Sequence, residues 1–286
     1  MLNYLKNFLR KRELLYKAYN HLKAAFCKPV FNNLQQFFVF IGYPRSGHTL
    51  VGSLLDAHPE IVCSIEANVL KLCRQGYSRK ALFYYVLKRS RVFAKKLNFT
   101  WTGYSYYVED MCQGRFSTLR CMGDKKGAGS TIELSKNINI IDELAIKCSL
   151  PVKILHVVRN PFDNISTITL RAMQKGSVFS SRLLSEKIDY YFWLAQTNQR
   201  VIEKYSNKVL TLYHEDMVKT PEKKLAEIFS FLDVHIDQAS LIKLCAKINS
   251  EVNKTRHKIE WDKANKEKAL AEMQKIDFLS HYSWNS

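Results

Sequence analysis

Apolar residues follow two rhythms along this chain. Five runs of strand length are rich in them: Phe37 to Ile41, Ile61 to Glu66, Thr118 to Met122, Val152 to Val158 and Val209 to Tyr213. Apolar runs without polar alternation mark strands covered on both faces, as in a parallel sheet. Elsewhere apolar residues return every three or four positions, which predicts helices. His48 to Ala57 is one, through Leu50, Val51, Leu54 and Leu55. Others run from Ser130 to about Cys148, from Leu183 to Tyr205, and from Thr220-Pro221 to Leu232, with a charged helix around Asp262 to Lys275. Alternating strands and helices predict an α/β fold, a central parallel sheet between helical layers.

Two segments stand outside that alternation. Met1 to Phe26 repeats Leu5, Leu9, Leu15, Tyr19, Leu22 and Phe26 at helical spacing, with Lys6, Arg10, Lys11, Arg12, Lys17 and Lys23 between them. Cys27-Lys28-Pro29 ends this basic amphipathic helix, which occupies residues 1–30. Such a helix packs its apolar face on its own domain, or makes peripheral contact with an anionic membrane, here through residues 1–28. Asn68 to Leu119 carries Phe83, Tyr84, Tyr85, Trp101, Tyr104, Tyr106 and Tyr107 without an α/β rhythm. An insert of this kind builds an acceptor pocket or a helical subdomain with an ordinary core. Residues 37–286 read as one domain that includes this insert, about 68–119.

The chemistry collects where strands hand over to helices. After Ile41, Gly42-Tyr43-Pro44-Arg45-Ser46-Gly47 forms a tight loop. Strand, glycine loop and helix aim backbone N–H groups and a helix dipole at one small volume, a site for phosphate or sulfate oxygens. The spacing is close to a Walker A loop, but His48 stands where that motif needs Lys, and the cation comes earlier, at Arg45. The amides of Arg45 to Thr49 can still hold an anion. After Met122, Gly123-Asp124-Lys125-Lys126-Gly127-Ala128-Gly129-Ser130 sets two lysines between glycines, a second anion-facing loop. After Val158, Arg159-Asn160-Pro161 opens a helix, with Asp163 in its first turn. Arg159 stands at the carboxyl end of a central strand, where open α/β sheets bind ligands. A Walker B strand would offer Asp there for Mg²⁺; Arg suits an anion. The plain alternatives are a ligand-free turn at Gly42–Gly47, a solvated Lys125-Lys126 loop, a strand-end carboxylate at Glu66, an ion-paired Arg159 and a core position for His156.

The net charge of +18 and pI of about 9.5 favour an anionic partner. Zinc-finger spacing and aromatic/basic RNA signatures are absent from the sequence, which argues against nucleic acid. Seven scattered cysteines without a C-x-x-C pair suggest free thiols in a reducing compartment. The sequence shows neither a membrane-length apolar run nor a signal-peptide pattern, so a cytoplasmic or peripheral-membrane location is expected.

Together these pieces resemble the sulfotransferases that use 3′-phosphoadenosine 5′-phosphosulfate (PAPS). Tyr43 to Leu50 is similar to the family's 5′-phosphosulfate loop, Pro-(Lys/Arg)-Ser-Gly-Thr-Thr, with His48 for the first Thr. Arg159 through Thr167 resembles the 3′-phosphate motif, Thr167 standing at the family's Ser. Leu210 to Met217 resembles a later strand-Glu-Asp segment. An aromatic residue near the adenine normally precedes that Glu-Asp; here His214 takes its place and Tyr213 lies one earlier. Leu55 through Glu66 most resembles tyrosylprotein sulfotransferases, although Ile65, Ala67 and Asn68 replace a Glu-Glu-Thr-Arg pattern. The Gly-Asp-Lys-Lys-Gly loop looks like that of bacterial-type members.

The resemblance implies a P-loop-type fold with PAPS as co-substrate and no metal. It implies donor binding by Arg45, Ser46, Gly47, His48, Thr49, Leu50, Arg159, Thr167 and Tyr213, with Arg256 a further candidate for the 3′-phosphate. It implies catalytic roles for Arg45, for Lys125 or Lys126 at the sulfuryl group, and for Glu66 as base, a role that His48 could take instead. The acceptor is a hydroxyl or amine on a carbohydrate, lipid, small alcohol or peptide tyrosine. Two other readings compete: a P-loop kinase of nucleotides or small molecules, and a non-catalytic anion-binding protein at a membrane surface.

Overall fold

A computed structural model describes residues 2–26, 30–95 and 104–286. The helix end at Cys27-Lys28-Pro29 and the insert residue Trp101 lie outside them, as do the side chains before Arg12. In chain order the elements are α1 (Leu2–Ala25), β1 (Gln36–Gly42), α2 (His48–Asp56), β2 (Ile61–Ile65), α3 (Val69–Arg74), α4 (Arg79–Ala94), β3 (Cys121–Lys125), α5 (Ala128–Lys136) and α6 (Ile140–Cys148). There follow β4 (Val152–Val158), α7 (Pro161–Met173), α8 (Ser181–Lys204), β5 (Val209–Tyr213), α9 (His214–Lys219), α10 (Pro221–Phe231), α11 (Gln238–Cys245) and α12 (Lys263–Met273).

The strands form one parallel sheet in the order β2-β3-β1-β4-β5. β1 is central and buried along its whole length. Phe37, Val39 and Ile41 enter the core beneath α3, α4 and α6, while Phe38 and Phe40 enter the core beneath α2, α10 and α11. Burial on both faces is why β1 and β4 read as apolar-rich runs. The architecture is the three-layer α/β arrangement expected from the sequence.

Three local expectations change. The third strand is Cys121–Lys125, not Thr118–Met122. Gly123 belongs to it because a Cβ there would sit 2.3 Å from the Phe38 ring of the neighbouring strand. The glycine is clearance inside the sheet, not the start of a loop, and Lys125 becomes the last strand residue. The helix expected from Ser130 is two, α5 and α6. They part where the Asn137 side chain accepts the Asn139 amide at 3.0 Å, a turn that competes with helix. In the insert, Leu82, Phe83 and Val86 join the main core, with the Phe83 ring stacked 6.1 Å from Phe37. Among the described residues six cysteines are free, and Cys63, Cys73, Cys121 and Cys148 of these are buried.

Candidate active site

Each strand delivers residues to one cleft at the carboxyl edge of the sheet. Taken across the sheet these are Glu66 after β2, Lys125 at the end of β3, the Tyr43–Gly47 loop after β1, Arg159 after β4 and His214 after β5. Glu66, Lys125, Arg45, Arg159 and His214 all line one cavity of ≈ 640 Å³. Only β1 separates β3 from β4, so the strands carrying Lys125 and Arg159 run roughly 10 Å apart.

The loop after β1 is built for close approach. Arg45 holds φ 69° and Gly47 φ 100°, left-handed conformations that reverse the chain into α2. Strain of this kind, of order 1–3 kcal/mol for a residue with a side chain, gathers at binding sites. The amides of Gly47, His48 and Thr49 have no backbone acceptor among the described residues. Gly47, Thr49, Leu50 and the exposed Arg45 line the cavity. Ser46 is fully buried instead, its hydroxyl donating to Tyr43 O at 3.2 Å, so it braces the loop from within.

His48 differs most from expectation. Its ring is 6% exposed and fills the space beside Gly42 and Gly127, where a Cβ on either glycine would come within 2.7 Å of it. Burial first, and the Lys125 charge second, bring its pKa down to about 3. The ring is a neutral spacer that still borders the cleft, and burial makes it a weaker proton acceptor than a free imidazole. His156 lies in the core as the plain alternative had it, its pKa also brought down to about 3 by burial and by His48.

The unfolded chain binds protons at both imidazoles below about pH 6.5, and the folded chain does not until near pH 3. Stability therefore falls as pH drops through that window, by up to about 1.4 kcal/mol per pH unit for each ring. His156→Gln should flatten the denaturation free energy against pH by about that one-proton slope between pH 6.5 and 4. An unchanged slope would show that His156 takes up its proton in the folded state.

Glu66 is clasped by both loop lysines. Lys125 Nζ lies 2.5 Å from Oε1, and Lys126 Nζ binds Oε2. Partial burial works to raise the carboxyl pKa, but the two ammonium groups override it and Glu66 titrates below the usual range. Glu66 has φ 65° and Asn68 φ 60°. Asp124 holds this strained turn from beneath. It accepts from Ser64 Oγ at 2.7 Å, Ala67 N at 2.9 Å and Val69 N at 3.0 Å. Burial pushes the Asp124 pKa up, and these donors are what keep its carboxylate satisfied.

At the other end, Arg159 is 7% exposed. One terminal nitrogen donates to Asn253 O and to Thr255 Oγ1 at 3.0 Å, and the other reaches Thr167 Oγ1 at 3.4 Å. Its Nε is buried without a partner among the described residues. Burial first lowers its pKa; Asp163 and then Glu215 work against that, and the weaker repulsion of Arg256 and then Arg45 adds to it. Thr167 lines the cavity beside it, with Oγ1 3.0 Å from Thr255 Oγ1.

Two expected donor contacts are corrected here. Arg256 is 1% exposed, forms a 2.7 Å ion pair with the fully buried Asp163, and donates to the carbonyls of Ser283 and Trp284. It is absent from the cleft wall and pins the 253–256 segment over Arg159; breaking such a pair costs about 3–5 kcal/mol. Tyr213 also turns away, its ring 5.0 Å from His281 and 6.2 Å from Tyr282. His214 lines the cleft in its stead, its Nδ1 3.1 Å from where a Cβ on Gly47 would stand.

Residues 37–238 match a family model described as the sulfotransferase family. The chain belongs to that family. Among solved structures it is similar to sulfotransferase STF9 from Mycobacterium avium (10% identity over 90% of this chain and 81% of that one, TM-score 0.53). It is also similar to a sulfotransferase from Alicyclobacillus acidocaldarius (15% identity over 88% and 99%, TM-score 0.51). At these identities the likeness is one of fold. No curated protein matches in sequence.

Sequence reasoning missed several parts of this sulfotransferase's cleft. Asp124 was visible only as a loop residue, because nothing in Gly-Asp-Lys-Lys-Gly shows that the strand continues through it. Asn253 and Thr255 bind Arg159 from 94 and 96 residues away, and no local pattern announces that contact. Tyr104 and Tyr106 reach the cleft from the insert.

Proposed function

We propose that this sulfotransferase moves a sulfuryl group from PAPS to a hydroxyl or amine acceptor. The observation that carries the reading is the placement of Arg45, in the loop after β1, and Arg159, after the neighbouring β4, on the wall of one cavity. Arg45, Lys125 and Lys126 line one part of that cavity and Arg159 another, so cations stand at two places along it. A nucleotide with phosphates on both the 5′ and 3′ oxygens matches that distribution, and ATP does not.

In this reading Arg45 and the amides of Gly47 to Thr49 hold the 5′-phosphosulfate, and Arg159 with Thr167 holds the 3′-phosphate. The acceptor oxygen or nitrogen forms its bond to sulfur as the bond from sulfur to the 5′-phosphate oxygen breaks. The electron pair leaves on 3′,5′-ADP, and the acceptor proton passes to Glu66. Lys125 and Lys126 are the switch between the two states of that carboxylate. In the clasp they neutralise Glu66 and keep it a weak base. Sulfonate and phosphate oxygens draw the ammonium groups off it, which raises its pKa and frees it to take a proton. Preorganised charge at the sulfuryl group supplies the remaining stabilisation.

The kinase reading lacks a Lys after Gly47 and an Asp at the end of β4. Incubation with ³⁵S-labelled PAPS and extracts of the source cells should label an acceptor and release 3′,5′-ADP in equal amount. Phosphoryl transfer from ATP-Mg²⁺ with no sulfur transfer would overturn the reading.

A further inference from the structure

From Arg12 onward, α1 meets the rest of the chain with the face that carries Lys17, Asn20, His21 and Ala24. Asn20 and Ala24 are buried, Lys17 Nζ donates to Gln75 O at 2.7 Å, and the His21 ring lies 5.5 Å from Tyr77. Positions 17, 20, 21 and 24 share one side of a helix. Leu15, Tyr19 and Leu22 share the opposite side, and Phe26 continues the row just past the helix end. These side chains are turned outward: Leu15 is 71% exposed, Leu22 60% and Phe26 81%, with Leu14 exposed beside them. Over these described residues the expectation that the helix packs its apolar face on its own domain is reversed. Single exposed leucines need no account, but a continuous apolar stripe does.

Charge identifies what fits it. α1 carries six basic residues and one acidic one, Glu13. Lys23 lies 5.9 Å and Lys88 of α4 5.0 Å from the centre of the Tyr19 ring. Arg91 and Lys95 extend the cationic row of Lys88 along α4. A second copy of α1 laid on the stripe would oppose like charges. An anionic surface would not. Among the described residues no helix is long and apolar enough to cross a membrane.

We propose that this stripe docks on an anionic lipid surface, with α1 lying flat. Leu15, Tyr19, Leu22 and Phe26 enter the acyl boundary, and the flanking Lys and Arg sit at headgroup level. The proposal stands apart from the sulfotransfer reading, since none of these residues lines the cleft.

The test is co-sedimentation of the full chain with vesicles of phosphatidylcholine alone and of phosphatidylcholine with phosphatidylserine. Binding is expected to the second only, and to weaken as salt is raised. Leu15→Ser/Leu22→Ser/Phe26→Ser should lose roughly tenfold or more in vesicle affinity at an unchanged melting temperature. Equal binding to neutral vesicles, or undiminished binding by the triple variant, overturns the proposal. So does a dimer in sedimentation velocity that the triple variant converts to monomer, which assigns the stripe to a second copy.

Discussion

Glu66→Gln is expected to lower turnover by roughly 10²- to 10⁴-fold, the range for removing a general base. Donor affinity should stay the same or rise. On the proposed reading the Glu66 carboxylate, paired with Lys125 and Lys126, would compete with the donor for them, and glutamine would remove that competitor. A merely structural Glu66 would give the opposite split, with weaker donor binding and little change in turnover once the site is saturated. Lys125→Ala separates the roles further. It should cost turnover and donor affinity together, because this cation would face both the leaving oxygen and the sulfuryl group. Quench-flow turnover at saturating PAPS, with donor affinity from titration, distinguishes these outcomes.

Arg159→Gln should remove the enzyme's preference for a 3′-phosphate. Losing the charge-assisted bonds of one guanidinium is worth about 2–3 kcal/mol, roughly 30- to 150-fold in affinity for 3′,5′-ADP. The same variant also frees Asn253 O and Thr255 Oγ1, so some loss of stability is expected. The control is 5′-AMP, which lacks the 3′-phosphate. If Arg159 only braces the 253–255 segment, both nucleotides weaken alike. If it reads the 3′-phosphate, 5′-AMP is left nearly unchanged and the ratio of the two affinities collapses.

β1 and β4 could be read from the chain because two-sided burial writes itself as apolar-rich runs, and the loops after them carry Arg45 and Arg159 in plain sight. Reading failed where a residue's meaning depends on a distant partner. Gly123 looked like a loop until the Phe38 ring beside it explained the missing side chain. Arg256 looked like a phosphate ligand, but Asp163, 93 residues earlier, had already taken its charge. Tyr213 and His214 exchanged places because α9 begins at once after β5, which turns the second of the two toward the cleft. In α1 the periodicity was legible and its direction was not. A stripe shows that two faces differ, and only the contacts of Asn20 and Ala24 show which one the protein covers.

Titration calorimetry of the full chain with 3′,5′-ADP and with ATP-Mg²⁺ bears most directly on the idea that Arg45 and Arg159 hold one nucleotide between them. The expected result is one site per chain for 3′,5′-ADP, weakened by Arg45→Ala and by Arg159→Gln alike, with ATP-Mg²⁺ far weaker. Tight binding of ATP-Mg²⁺ with none of 3′,5′-ADP would contradict it.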